Sequence, residues 1–315
     1  MKILFEKWHG CQNDFIVIWT NSNESKYLLT SLQRQANQLC NRTGLGIGAD
    51  GILVLNKDHG DEFPKNLSII NQDGSLARNC GNGLRCAAAS IYQRHQEELK
   101  KDEILEQVEL CVEGRSFLCQ FLHEANSKPV PMIAVDMGLL ALNEQNSWHS
   151  KNRELLRGEE LSDLTKNLGE AFSAEIGNQH IVFLCENCKE PESILMQLGP
   201  KLQKTPYWDG INVHIAMEAS WNISELSEAK KALGSPIGDL YEAWVYERGV
   251  GPTQACGSGA CAIGASILSQ GFTTRGEWIA IKMPGGTVFV KQVEANEGVL
   301  LAGDANFIFS GELNL

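Results

Sequence analysis

Apolar side chains follow two different patterns along this chain of 315 residues. Short apolar runs between polar turns are typical of strands, and they predict strands at residues 16–18, 52–55, 67–70, 108–112, 117–121, 181–184, 243–246, 278–283 and 287–293. Apolar positions three and four residues apart predict helices at residues 28–40 and 193–203. Two further helices, rich in small residues, are expected to begin near Gly81 and near Cys256. The pattern therefore predicts a mixed α/β (α+β) chain.

Glycine-rich and polar stretches separate these elements. Gly46, Gly48 and Gly51 form a GxGxxG pattern, but a dinucleotide site needs a strand before this pattern and a helix after it. Here the predicted helix comes first and the strand follows, so the pattern indicates a structural turn. Residues 284–286, Pro-Gly-Gly, predict a hairpin turn, and the polar residues 143–170 predict loops and a solvated helix.

The two small-residue helices resemble each other in sequence. CGNGLRCAAASI from Cys80 and CGSGACAIGASI from Cys256 are identical at six of twelve positions. Three further pairs occur in the same order: an Asn-x-x-Ile-Val at Asn13 and Asn178, an Asp-Gly-Ile-x-Val at residues 50–54 and 209–213, and a polar residue nine positions before each cysteine. Four matches in register indicate a duplicated unit. We therefore predict two homologous lobes, each with one helix that begins at a cysteine.

Composition narrows the class of protein. Hydrophobic residues make up 43% and charged residues 21% of the chain, which is ordinary for a globular protein. The formal net charge of −12 argues against nucleic acid or an anionic membrane as a partner. The N-terminus lacks the pattern of a signal peptide and no apolar run has membrane-spanning length, so a cytoplasmic location is expected. The ten cysteines are then expected to be reduced, and most of them to be packing residues.

One Cys-x-x-Cys motif occurs outside the repeated helices, at Cys185 and Cys188. This motif could be redox-active or half of a zinc site. No second such pair or histidine pair lies near it in sequence, and the seven histidines have no metal-binding spacing. No metal site is predicted.

The repeated Cys-Gly-x-Gly motif has a chemical use at the start of a helix. Unpaired N–H groups and the helix dipole there favour a thiolate, so a lowered cysteine pKa is expected. The same donors can bind a carboxylate, and glycines allow its close approach. Inversion of a tetrahedral carbon needs a base on one face and an acid on the other. Two such cysteines, one from each lobe, would supply that pair, with helix N-termini stabilising the developing charge.

The chain resembles the diaminopimelate epimerase family in motifs that run through nearly its whole length. These motifs are FEKWHGCQNDF, GIGADG, NQDGS, CGNG followed by Arg85, GN-x-H at residues 177–180, VYERG and TQACGSGACA. The resemblance implies two pseudo-symmetric lobes, each a β-barrel-like sheet around a central helix, with the last strand returning to the first lobe. The corresponding boundaries are residues 1–136 plus 303–315 for the lobe that carries Cys80, and residues 137–302 for the lobe that carries Cys256.

The resemblance also implies a function and a set of site residues. It implies epimerisation of LL-2,6-diaminopimelate to the meso isomer without cofactor or metal, by a homodimer, with Cys80 and Cys256 as the acid/base pair. The residues implied to bind the small amino-acid substrate are Asn13, Asn71, Gly81, Asn82, Asn178, Asn212, Glu247, Arg248, Gly257 and Ser258. Arg248 suits a carboxylate and Glu247 an ammonium, which would fix a second amino-acid end.

Some of these residues have simpler explanations, and some positions depart from the family pattern. Asparagines are common in turns, Glu247 and Arg248 could be a surface pair, and His180 is expected to be structural. Gln12 stands where the family usually has glycine, Gln179 where it usually has proline, and Trp8 where methionine is more frequent. Residues 217–241 are longer than expected and suggest an added helix and loop. Two alternatives therefore stay open, a racemase of another polar amino acid such as histidine and a thiol redox or metal-binding protein.

Overall fold

The computed structural model describes residues 2–21, 25–98, 104–123, 130–142, 159–204, 210–272, 276–292 and 298–315. The predictions for residues 143–158, for Asp209 and for the end of the last predicted strand at Val293 lie outside these residues. Six helices are described: α1 (Ser25–Leu39), α2 (Gly81–Glu98), α3 (Glu159–Thr165), α4 (Pro191–Gln203), α5 (Ile223–Leu233) and α6 (Gly257–Ser269).

The described strands are numbered in chain order. They are β1 (Lys2–Gly10), β2 (Asn13–Asn21), β3 (Gly51–Lys57), β4 (Asn66–Asn71), β5 (Leu76–Ala77), β6 (Gln107–Val112), β7 (Arg115–Leu122), β8 (Met132–Asp136), β9 (Ala141–Leu142), β10 (Glu170–Glu175), β11 (Gln179–Cys185), β12 (Asn212–Ala219), β13 (Ile237–Glu247), β14 (Gly251–Thr253), β15 (Trp278–Met283), β16 (Gly286–Gln292), β17 (Val299–Gly303) and β18 (Asn306–Asn314).

The chain divides into two compact units. The first unit contains Met1–Asp136, Ala232–Gly234 and Ala302–Leu315. The second unit contains Met137–Lys231 and Ser235–Leu301.

The first unit is a sheet that surrounds helix α2. Strand β1 pairs antiparallel with β18 and with β2, β2 runs parallel to β3, and β3 pairs antiparallel with β4. Strand β4 then pairs with β6, and β7 lies between β6 and β8. Helix α2 contacts six of these strands, β1, β2, β3, β7, β8 and β18. Helix α1 packs on β3 and β4 outside this arrangement, through a core that includes Leu28, Leu32 and Ala36.

The second unit repeats this succession of elements. Strand β11 runs parallel to β12, β12 pairs antiparallel with β13, β13 runs parallel to β15, and β15 pairs antiparallel with β16. Strands β9 and β10 extend the other end of the sheet. Helix α6 contacts β10, β11, β12, β15 and β16, while α4 packs on β12 and β13 from outside. The predicted fold class, two similar lobes that each wrap a sheet around one helix, is confirmed.

The sequence explains why α2 and α6 lie inside their sheets. Helix α6 has only small and apolar residues on every side, and ten consecutive residues from Gly259 to Leu268 are buried. In α2 the run from Leu84 to Ile91 is fully buried. A helix that is apolar all round, as α6 is, must be enclosed, and the small side chains of both helices let the surrounding strands approach closely.

Several strands were not predicted from the sequence. Strands β1, β10, β12 and β18 have partly polar or irregular sequence patterns. Pairing with neighbouring strands of the sheet stabilises their extended conformation. In the segment 217–241, helix α5 lies between the end of β12 and the start of β13, so the expected helix is present. Residues 284 and 285 form the turn of the β15–β16 hairpin, in which Met283 pairs with Gly286, as predicted.

The turn of the β1–β2 hairpin shows why glycine is favoured at the position of Gln12. Cys11 and Gln12 form its two-residue turn, between the paired Gly10 and Asn13, and both have positive φ angles of 50° and 60°. Turns with two positive φ angles usually take Asn-Gly, because non-glycine residues pay a steric penalty there. Gln12 therefore occupies a position where glycine is the relaxed choice, and its side chain is exposed.

Candidate functional site

Cys80 lies directly before helix α2 and is half-buried. Its Sγ accepts a hydrogen bond of 3.4 Å from the backbone N–H of Gly83, and its carbonyl accepts one of 2.8 Å from Leu84. The thiol thus caps the helix N-terminus. Gly81 and Asn82 are the first two residues of the helix and are buried. Their N–H groups belong to the set that has no partner within a helix, as a carboxylate cradle requires.

A polar network leads from Asn82 to the opening of the β1–β2 hairpin. Asn82 Nδ2 donates to Asn13 Oδ1 at 3.2 Å, and Asn13 Nδ2 donates to Asp50 Oδ2 at 2.6 Å. Arg42 pairs with Asp50 at 2.7 Å and also with Asp14. The structure therefore brings Asn13 and Asn82 into direct contact within the first unit.

Asn71 differs from the other predicted site residues because its side-chain hydrogen bond stays within its own turn. Its Nδ2 donates to Ser75 Oγ at 2.9 Å, and its N–H donates to the Ser75 carbonyl at 2.9 Å. Its carbonyl accepts from Gly74. Asn71 is exposed and closes the β4–β5 turn, which is the structural role common for asparagine.

Cys256 is the N-cap of helix α6 and is buried. Its backbone is extended, with φ −132° and ψ 111°, and its Sγ accepts from the Gly259 N–H at 3.3 Å. Ser258 Oγ lies 3.5 Å from the same sulfur. Both predicted cysteines therefore cap the central helix of their own unit in the same way, through the third helical N–H.

The expected lowering of the cysteine pKa is wrong for Cys256. Burial raises the pKa of its thiol well above the usual value, and the negative charge of Glu247 raises it further. Hydrogen bonds from Ser258 and Gly259 act in the opposite direction but are smaller. Desolvation of a thiolate outweighs the helix N-terminus here, so Cys256 is a protonated thiol at neutral pH.

Glu247, Arg248 and Asn212 form a second cluster in the second unit. Thr253 Oγ1 donates to Glu247 Oε1 at 2.6 Å. Asn212 Nδ2 donates to the Gln179 carbonyl at 3.0 Å, while its Oδ1 accepts from the Arg248 N–H at 2.9 Å. Asn212 is almost fully buried, so its amide holds the start of β11 against the end of β13.

Asn178 is held by two histidines that the sequence did not connect. His180 Nε2 lies 2.7 Å from Asn178 Oδ1, and His180 Nδ1 lies 2.8 Å from His214 Nε2. An amide oxygen can only accept, so His180 carries its proton on Nε2 and accepts from His214 on Nδ1. Both rings are fully buried and stacked, with centroids 5.1 Å apart. His180 is structural in the sense that it orients Asn178.

The buried histidine pair predicts acid sensitivity. Burial lowers the pKa of His180 to about 3 and lowers the pKa of His214 well below its usual value. Between pH 6.5 and 3 these imidazoles therefore bind protons in the unfolded chain but not in the folded chain. The free energy of unfolding falls as the pH falls. From pH 7 to 5, His180 alone is expected to remove about 2 kcal/mol of unfolding free energy.

Urea unfolding at pH 5, 6 and 7 measures this effect. A His214→Phe variant should show a shallower pH dependence, whereas His59→Gln, at an exposed position, should keep the wild-type slope. Equal unfolding free energies of the wild type at pH 5 and pH 7 would contradict the prediction.

Cys185 and Cys188 lie in the hydrophobic core beneath helix α4. Burial raises the pKa of Cys185 to about 11, and the neighbouring Cys188 adds to the shift, so its thiol is not activated. The Cys185 thiol donates to the Asn167 carbonyl at 3.2 Å. Within the described residues, no group of three or more His, Cys, Asp or Glu side chains could hold a metal ion. In the same part of the chain no helix has the length and apolar character to cross a membrane.

Sequence reasoning gave no role to Asp50, Thr253, His214 or Arg85. Thr253 and Arg85 lie within the motifs of the resemblance, but nothing in the local pattern indicated their partners. A single histidine in an apolar strand gave no signal for His214. The contacts of Asp50 with Asn13, of His214 with His180 and of Arg85 with the Asp304 carbonyl join residues that are distant in sequence, so only the folded chain reveals them.

The fold occurs in solved structures of epimerases and related proteins. The chain is similar to a phenazine biosynthesis protein of the PhzF family from Bacillus anthracis, with TM-score 0.67 and 12% identity over 100% of both chains. It is also similar to a hydroxyproline epimerase from Agrobacterium vitis, with TM-score 0.59 and 12% identity over 99% of this chain and 91% of that one. At such low identity these likenesses define the racemase and epimerase-like fold alone.

Sequence comparison then defines the family. The family model described as diaminopimelate epimerase matches residues 5–108 and 172–308. The chain is 30% identical to the diaminopimelate epimerase of Bacillus subtilis, over 98% of this chain and 97% of that protein. It is 31% identical to the diaminopimelate epimerase of Rickettsia felis, over 99% of this chain and 97% of that protein. The chain belongs to the diaminopimelate epimerase family.

Proposed function

We propose that this chain is a cofactor-independent isomerase that epimerises LL-2,6-diaminopimelate to the meso isomer, in the synthesis of lysine and of peptidoglycan precursors. Family membership over nearly the whole chain supports this proposal. The observation that carries it is the repeated cap: the Sγ atoms of Cys80 and Cys256 each accept the third N–H of a buried central helix. Two equivalent thiols are what a two-base inversion requires.

The two thiols are proposed to act on opposite faces of the substrate α-carbon. One thiolate removes the α-proton while the other group, a thiol, delivers a proton to the opposite face. The raised pKa of Cys256 suits the proton donor, so Cys80 is the proposed base in the free enzyme. When the reverse reaction runs, the two groups exchange roles, as microscopic reversibility demands.

Other predicted residues are proposed to hold the substrate. The first N–H groups of each central helix, at Gly81 and Asn82 and at Gly257 and Ser258, would bind the carboxylate of the reacting carbon. Asn13 and Asn178 would contact the rest of the substrate through the hydrogen-bonding capacity of their side-chain amides that the contacts described above leave unused. For the distal end we propose Glu247 as the partner of the ammonium and Arg248 as the partner of the carboxylate, with Asn212 holding Arg248 in place and Asn71 at the margin.

Solvent exchange tests the reaction and its substrate together. In deuterium oxide, the enzyme should incorporate one deuterium at the inverted α-carbon of LL- or meso-diaminopimelate, measured by mass spectrometry and chiral analysis. Lysine and arginine should exchange far more slowly, because each lacks the second amino-acid end. No exchange with any diaminopimelate isomer would contradict the proposal.

The same experiment separates the two alternatives. Histidine racemisation was suggested by Gln12 and Gln179, which are both exposed beside proposed substrate residues, and faster exchange of histidine would establish it. A thiol redox or metal function has less support, since Cys185 is a buried, protonated thiol. From family membership we further propose a cytoplasmic enzyme that acts as a homodimer.

A further inference from the structure

Arg85 is a fully buried arginine in helix α2 of the first unit. Its Nη2 donates to Asn82 Oδ1 at 2.8 Å and lies 3.9 Å from Cys11 Sγ, and its Nε donates to the Asp304 carbonyl at 3.3 Å. Its Nη1 has no hydrogen-bond partner, and its guanidinium makes no ion pair within 4.0 Å, among the described residues. Burying a cation without a carboxylate partner costs desolvation free energy. The buried position of Arg85 therefore needs a physical explanation.

Two glycines leave the space that this guanidinium occupies. A Cβ at Gly303 would lie 3.0 Å from both Cζ and Nε of Arg85. A Cβ at Gly10 would lie 3.3 Å from Nη2 of Arg85 and 3.0 Å from the Asp304 carbonyl. The backbone thus surrounds the guanidinium closely and fixes its direction, so that Nη2 points at Asn82.

The hydrogen bonds that start at Arg85 can run in one direction only. A guanidinium has donors and no acceptor, whereas the Asp50 carboxylate at the other end has acceptors only. Asn82 must therefore turn its oxygen to Arg85 and its nitrogen to Asn13, and Asn13 must turn its nitrogen to Asp50. Without the donor at Arg85, Asn82 Oδ1 loses its partner, and only the contacts that lead to Asp50 hold the two amides in this orientation.

We infer that Arg85 is a positioning residue, which together with Asp50 at the other end of the hydrogen-bond network fixes the amides of Asn82 and Asn13 so that both present N–H groups to an anionic group of the substrate. Each Nδ2 has a second N–H beyond the bond in the network. The inference rests on the proposed function, since it assigns a substrate carboxylate to these donors. Arg85 touches no reacting atom and acts through Asn82.

An exclusively structural role makes a different prediction. Buried charged residues can often be replaced by apolar residues of similar volume without loss of stability. If Arg85 only fills space, Arg85→Met should alter stability but leave the kinetics of the folded enzyme unchanged. If Arg85 orients the amides, the folded Arg85→Met enzyme should bind its substrate poorly.

The test measures steady-state kinetics of diaminopimelate epimerisation for Arg85→Met, Gly303→Ala and Ser90→Ala. Loss of oriented hydrogen bonds to a charged group predicts a KM about 10- to 100-fold higher for Arg85→Met, with kcat within a few-fold of the wild type. Gly303→Ala should raise KM in the same sense, because its methyl group displaces the guanidinium. Ser90 lies on the same helix and bonds Glu6 and Trp19 instead, so its alanine variant should keep the wild-type KM.

A double-mutant cycle decides whether Arg85 acts through Asn82. In an Asn82→Ala background, Arg85→Met should add no further increase in KM. Additive increases, or an unchanged KM in both Arg85→Met and Gly303→Ala, would overturn the inference. Should Arg85→Met fail to fold, Gly303→Ala answers the same question.

A second measurement keeps this inference separate from the proposed function. In ¹⁵N-labelled protein, the side-chain NH₂ signals of Asn13 and Asn82 should shift in Arg85→Met and stay in place in Ser90→Ala. If the wild type fails to epimerise diaminopimelate but these signals respond, the proposed function fails and the orienting role stands. Signals that do not respond to Arg85→Met overturn the orienting role, whatever the substrate.

Discussion

Replacement of either Cys80 or Cys256 by alanine is expected to lower the rate of diaminopimelate inversion by about 10²–10⁴-fold, since each variant lacks one of two acid/base groups. The remaining thiol can still remove a proton from one face and return one to the same face. Each single variant should therefore exchange the α-hydrogen of one stereoisomer with retention, and the two variants should prefer opposite stereoisomers. A variant without either cysteine should show neither inversion nor exchange.

Chiral analysis of substrate recovered from deuterium oxide measures inversion and exchange together. Cys185→Ala is the matched control, because Cys185 is a buried thiol in the core beneath α4. It should lower stability modestly and leave inversion nearly intact. Normal inversion by the Cys80→Ala enzyme would refute the two-base assignment.

Gly259→Ala is expected to disable the Cys256 thiol without touching the cysteine itself. A Cβ on Gly259 would lie 2.5 Å from Cε1 of His214, whose ring is fully buried and held by His180. Neither the ring nor the helix start can move freely, so overpacking should cost about 1–3 kcal/mol of unfolding free energy. Since the Gly259 N–H also caps the Cys256 sulfur, inversion should fall by more than the loss of folded protein explains.

A pair of variants separates the local effect from general destabilisation. Gly264→Ala places a methyl group 2.7 Å from Val290 Cγ1, on the same helix but away from the cysteine. It should destabilise the fold and retain inversion per folded molecule. Adding His214→Ala to Gly259→Ala removes the ring and should restore part of the activity. Equal specific activities of Gly259→Ala and Gly264→Ala would show that the cap at Cys256 does not matter.

Only part of the candidate site could be predicted from the sequence. Cys80 and Cys256 could be found because a repeated Cys-Gly-x-Gly marks a helix start twice, and both cysteines do cap helices. The direction in which the Cys256 pKa shifts could not be predicted from the sequence. This shift depends on burial and on the charge of Glu247, which the fold brings close to Cys256. A helix N-terminus by itself predicted the opposite shift.

The sequence by itself determined the two-unit plan and its central helices. Small and apolar residues make α6 apolar on all sides and fill most of the buried part of α2, so both helices are stable only when enclosed, and the repeated flanks make the two units alike. Only the tertiary structure decided which polar groups meet. Asn82 with Asn13, and His180 with His214, join residues whose partners no local pattern specifies. Helix and strand periodicity are local properties of the chain, whereas hydrogen-bond partners and desolvation depend on segments far apart in sequence.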